Sequence, residues 1–140
     1  VDWLSGNNAS FKREVIQNYQ FDHWSGGREA LEDIAMGWQL KNDGWSCVMD
    51  PNLDISHKHS DDDEHRFQYG LNYGRNRVRI FRKYGNRIYY PLFYWAMFGD
   101  ILRHLLAPFV DQRWYHHFVA AVGFAIGVLI QSFSFQLKPE

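Results

Sequence analysis

Cys47 is the only cysteine in the chain. A lone thiol excludes an internal disulfide and fits a reducing compartment. Net charge is almost absent as well. The formal balance is −1 over 140 residues, so no global field draws in nucleic acid. Nothing at the start reads as a signal peptide, and no initiator methionine is present. Val1 opens directly into VDWLSG, which reads as mid-domain sequence, so the chain is expected to be a piece of a longer protein. Internal repeats are missing, and so is low-complexity sequence apart from one acidic run. Apolar residues are abundant, at 46%, and aromatics reach 18%, so material for a core is not limiting.

The charges are segregated. Residues 50–64 hold six acids and one lysine, whereas residues 75–87 hold six basic residues and no acid. Composition divides the chain near residue 65 into soluble α/β material and a basic, then apolar, remainder. In the first part, VDWLSGNNASF reads as a short strand and turn. Ser10 is placed to cap a helix through FKREVIQNY. Leu31, Ile34 and Trp38 recur at helical spacing, and Gly44 suits the left-handed position past that helix. WSCVMD and NLDISHKHS read as extended segments.

In the second part, residues 118–130 are thirteen uninterrupted apolar residues. Extension to Phe135 gives a borderline bilayer span, since about 20 apolar residues are needed. Residues 88–110 are long enough but carry Asp100, Arg103 and His104. Ile101, Leu102, Leu105, Leu106 and Phe109 share the opposite helical face, a pattern expected of a helix lying in the membrane interface. The basic run ahead of these segments is expected to contact anionic lipid and to lie on the cytoplasmic side. Nucleic acid is a poorer match for that run, because the adjoining apolar segments already account for it.

Glu32 and Asp33 stand side by side at the mouth of the mainly apolar helix expected within residues 30–45. Successive helical residues point about 100° apart, so one carboxylate can face a cleft while the other braces the scaffold. Acids are favoured in the first turn of any helix, which is the plain structural reading. A carboxylate in a closed cleft can instead serve as a general base.

The order Trp3-Leu4-Ser5-Gly6-Asn7, Phe21-Asp22, Glu32-Asp33, Gly44-Trp45, Asp50-Pro51, His57 resembles family 2 glycosyltransferases, and the resemblance spans residues 1 to about 60. It implies an α/β fold, here a partial GT-A (nucleotide-diphospho-sugar transferase) domain followed by C-terminal apolar membrane-associated helices. The expected divisions are 1–65 for the C-terminal half of the catalytic domain, 66–87 for a basic juxtamembrane segment, and 88–140 for interfacial and possible transmembrane helices. The resemblance implies Asp33 as catalytic base and Glu32 as its positioning neighbour. Trp3, Gly6, Asn7 and Asp22 would border the sugar pocket, and His57 would reach a metal. A divalent cation, Mg or Mn, would be bound mainly by an upstream half that this chain lacks. The implied donor is a nucleotide sugar, and the acceptor is a glycan or lipid-linked hydroxyl.

The sequence departs from that family in places. Ala35 and Gln39 stand where a second acid and an arginine are common in the helix. Gln112-Arg113-Trp114 lacks the spacing of the processive branch, so single addition is the better match. Asp61-Asp62-Asp63 follows the catalytic helix instead of preceding it and reads as a solvated loop. His57, His59 and His65 cluster, and the first two could share a strand face, but Cys47 has no partner cysteine to complete a zinc set. A rival expectation is a non-catalytic, membrane-tethered interaction module. The transferase expectation makes the chain inactive on its own.

Overall fold

A computed structural model describes residues 9–22, 31–50, 52, 56, 65–106 and 114–134. The chain divides into two compact units, Val1–Asp61 and Asp62–Glu140. Helices are the only regular elements among the described residues, and none of these residues is in a strand. This overturns the expected α/β, partial GT-A fold: what is described is all-α. Residues 45–50 illustrate the correction. WSCVMD has the alternation of a strand, yet it is irregular, with Val48 77% exposed. A strand is completed by a neighbour's ladder of hydrogen bonds, and no neighbouring strand is described. The other predicted extended pieces, 1–11 and 52–60, lie mostly outside the described residues.

In the first unit α1 is Arg13–Asn18 and α2 is Glu32–Asn42. The cap of α1 is Lys12, not the expected Ser10. Val15 from α1 packs with Met36 and Leu40 from α2, and Phe11, Tyr19 and Trp45 close over them. Ala35 and Gly37 are buried too, so the inward face of α2 is not the one marked by Leu31, Ile34 and Trp38, which are half-buried.

The end of α2 follows from one glycine. Gly44 has φ +85°, the left-handed conformation, and its N–H donates to Lys41 O at 3.1 Å. Trp45 N–H donates to Leu40 O at 2.9 Å. These two bonds form a Schellman motif, which satisfies carbonyls that the helix itself leaves open. The motif also delivers Trp45 to the core beside Leu40, where its Nε1–H donates to Tyr19 Oη at 3.2 Å.

The second unit contains α3 (Arg66–Tyr84), a 3₁₀ turn (Arg87–Tyr89), α4 (Tyr90–Leu106) and α5 (Trp114–Phe133). The expected juxtamembrane segment 66–87 is therefore mostly one long helix. Helix α3 runs parallel to α5, and α4 returns antiparallel to both. Pairings fix these directions: Gly70 lies at Ala120 and Gly74 at Phe124, while Arg77 meets Asp100 and Phe81 stacks on Phe93 at 4.2 Å.

Four glycines set the α3–α5 distance. A Cβ on Gly70 would fall within 3.0 Å of the Ala120 carbonyl oxygen, and one on Gly74 within 3.0 Å of the Phe124 oxygen. The relation is reciprocal. A Cβ on Gly123 would strike the Phe67 oxygen, and one on Gly127 the Leu71 oxygen. Both helices thus carry a Gly-x-x-x-Gly step that brings backbone against backbone. Val78, Met97, Phe124 and Val128 form the adjoining core, with Tyr73, Phe93 and Ile101 against it.

Candidate functional site

The carboxylate pair opens α2. Leu31 precedes it with φ +72°, an uncommon conformation for a side chain of that size. Strain of this kind costs on the order of 1–3 kcal/mol and gathers at functional sites. Leu31 O accepts from Ala35 N–H at 3.0 Å, so the strained residue starts the helix. Asp33 Oδ1 accepts from Ile34 N–H at 2.8 Å. The Asp33 side chain is half-buried and lines a hollow with Phe11, Phe21, Met36, Gly37, Leu40 and Cys47. Glu32 Oε2 is buried without a hydrogen-bond partner among the described residues.

Of the predicted site residues, Glu32, Asp33 and Asp22 are described. Phe21, beside Asp22, shares the hollow with Asp33, and its ring meets Phe11 edge-on at 6.1 Å. Trp3, Gly6, Asn7 and His57 lie outside the described residues. The hollow has a volume of about 10 Å³, room for about one water molecule. A sugar would need walls beyond those described. The expected Mg or Mn ion has no ligand set here either, because no three His, Cys, Asp or Glu side chains converge among the described residues.

In the second unit Asp100 and His104 of α4 turn toward the neighbouring helices. Asp100 pairs with Arg77 of α3 inside the bundle, and Arg103 Nε lies 3.8 Å from the same carboxylate. Ile88, Leu92, Trp95, Phe98, Leu102 and Leu106 are exposed, Trp95 at 71%. On α5, Phe118, Leu129, Ile130 and Phe133 are exposed while Gln131 is buried. Polar inside and apolar outside is the arrangement favoured where the surroundings are hydrocarbon. Helix α5 is long and apolar enough to cross a membrane from Tyr115 to Phe133, with a third of that span buried in the protein.

Three arginines of the basic run, Arg77, Arg79 and Arg82, bond within the unit, whereas Lys83 and Arg87 are exposed. Arg79 Nε donates to Gln131 Oε1 at 3.1 Å. Arg82 donates to the carbonyls of Gln131 at 2.7 Å and Ser132 at 2.6 Å, so it caps the C-terminus of α5. Arg75 Nε is buried without a hydrogen-bond partner among the described residues. These arginines are spaced along a bundle helix.

A cavity of about 240 Å³ lies where α3, α4 and α5 meet, near the start of α3. Tyr69, Tyr73 and Phe124 wall it, and Asp100, Arg103 and His104 close one side. His104 lies in the last turns of α4 with its ring 6.0 Å from that of His117. Burial lowers the His104 pKa, Arg103 and His117 add to the effect, and Asp100 opposes it.

The glycine steps and the Arg77–Asp100 pair are the features that sequence reasoning missed. The four-residue spacing of Gly70 with Gly74, and of Gly123 with Gly127, was the available signal. No family model, curated protein or solved structure matches the chain.

Proposed function

We propose that this chain carries the acceptor-side helix of a membrane-associated sugar transferase, with Asp33 as general base. The ordered motifs from Trp3 to His57 support the reading. The observation that carries it furthest is the placement of Asp33, which lines a hollow with Phe21 instead of standing in open solvent. In the reaction, an Asp33 oxygen takes the proton of an acceptor hydroxyl. The acceptor oxygen forms its bond to the anomeric carbon of a nucleotide sugar. The bond from that carbon to the diphosphate breaks on the far side, with inversion, and the diphosphate leaves with the electron pair. Glu32, half-buried at the first turn, positions the helix. The pocket for donor and acceptor needs residues beyond those described, so the chain alone is expected to be inactive.

The transferase would be held to the membrane by α5, with the Asp33 unit on the cytoplasmic side. The inside-out polarity of α4 and α5 supports membrane contact. The test uses a protein that joins this chain to a nucleotide-sugar-binding portion and is assayed in the membrane fraction. Asp33→Asn should lower turnover at least ~10²-fold, the low end for loss of a general base. Near-normal turnover would remove Asp33 from the chemistry and leave a membrane-tethered interaction module. Release of the protein from membranes by alkaline carbonate would remove the spanning role of α5.

A further inference from the structure

The cavity in the second unit is unrelated to the carboxylate hollow, and its chemistry is of two kinds. Tyr69, Tyr73 and Phe124 offer aromatic walls, and Gly70 with Ala120 leaves the floor without bulk. One side is charged. Asp100 faces both Arg77 and Arg103, and the pairing with Arg77 is the tighter. Two cations on one carboxylate leave a net positive charge, placed on Arg103, whose side chain is 73% exposed. Tyr69 is 49% exposed and carries the aromatic wall out to the surface at the cavity mouth.

We propose that this cavity binds one anionic phospholipid, with its phosphate against Arg103 and the start of one acyl chain between the aromatic walls. The size fits a partial guest. Sites for whole small molecules run from roughly 300 to 1,000 Å³. A cavity of about 240 Å³ takes one chain segment while the rest of the lipid stays on the apolar exterior. Inorganic phosphate alone would meet Arg103 but would leave the aromatic walls uncovered. Arg77, Arg79 and Arg82 of the 75–87 run are engaged within the unit, so the headgroup contact is placed on the exposed Arg103 beside the cavity. The membrane reading above supplies only the source of the lipid.

The test needs no bilayer. The chain is purified in a neutral maltoside detergent and titrated with phosphatidylglycerol or phosphatidylcholine of matched chains, and retained lipid is counted by native mass spectrometry. One phosphatidylglycerol per chain is expected, held about 5-fold more tightly than phosphatidylcholine, the discrimination one arginine supplies near a headgroup. Arg103→Gln should bring the two lipids level. Tyr69→Ala, also at an exposed position, should weaken both alike. Equal retention of the two lipids by the parent chain, or an unchanged preference in Arg103→Gln, overturns the proposal. Displacement of phosphatidylglycerol by millimolar inorganic phosphate also overturns it, because the site would then read phosphate and not lipid. If carbonate releases the protein from membranes while the phosphatidylglycerol preference holds, the membrane reading fails and this site stands.

Discussion

Replacing Gly74 and Gly99 by alanine, one at a time, should move stability in opposite directions. Both glycines sit inside helices, where alanine is favoured by about 1 kcal/mol. At Gly99, on α4, a Cβ would meet nothing within 4 Å, so the helical preference acts unopposed. At Gly74 the new Cβ would lie inside 3.0 Å of the Phe124 oxygen and 3.1 Å from the Val128 nitrogen. Both obstacles are backbone, and no side-chain rotation relieves them. Helices α3 and α5 must part by about half an ångström or more, a gap that forfeits a quarter to a half of each contact's dispersion energy. Overpacking of this sort costs about 1–3 kcal/mol, and a backbone obstacle belongs near the upper end. After subtracting the helical gain, Gly74→Ala should destabilise the unit by about 2 kcal/mol. Each kcal/mol moves the midpoint of a domain this size by about 4–8 °C. Thermal unfolding in mild detergent, followed by far-ultraviolet circular dichroism, should show Gly74→Ala ~8–16 °C below the parent and Gly99→Ala ~4–8 °C above it. Equal shifts, or a stabilised Gly74→Ala, would refute the backbone-to-backbone packing.

Two further outcomes are expected. Arg77→Met strands Asp100 inside the bundle and should cost about 2 kcal/mol, below the range for fully buried pairs because both side chains retain some exposure. Adding Asp100→Leu should restore part of that loss, and a double variant less stable than either single one in chemical denaturation would rule out the pair as described. Gly44→Ala should cost about 1 kcal/mol, since its Cβ meets nothing and the whole penalty is the φ of +85°. An unchanged midpoint in the same denaturation would mean that α2 ends some other way.

The sequence showed most where one residue type decides the geometry. Gly44 marked the end of α2, and the apolar run from Phe118 marked α5. Helix α3 was not legible, because Gly70, Gly74 and the alternating arginines have poor or ambiguous propensity when read alone. Its helix is stabilised by α5, almost fifty residues downstream, and by Asp100 on α4. The expected strands depended on partners as well, and residues 45–50 stay irregular with Val48 and Met49 exposed. For α4 the two faces were legible in the periodicity. Asp100, Arg103 and His104 do lie opposite Leu102, Leu105 and Leu106, yet Asp100 and His104 are half-buried against the neighbouring helices while the leucines are exposed. In the candidate site, the adjacency of Glu32 and Asp33 was plain from sequence, whereas the left-handed Leu31 before them had no signal.

The parallel seating of α3 on α5 sets a timetable for synthesis. Arg82 and the Ser132 carbonyl it caps are 50 residues apart. At ~5–20 residues per second, a ribosome needs several seconds to bridge that interval. Throughout it, α3 lacks its partner, with its glycine groove empty and its guanidinium groups waiting for acceptors not yet made. A chain released after α4 would expose that groove, and would be a natural substrate for insertion factors or for quality-control proteolysis.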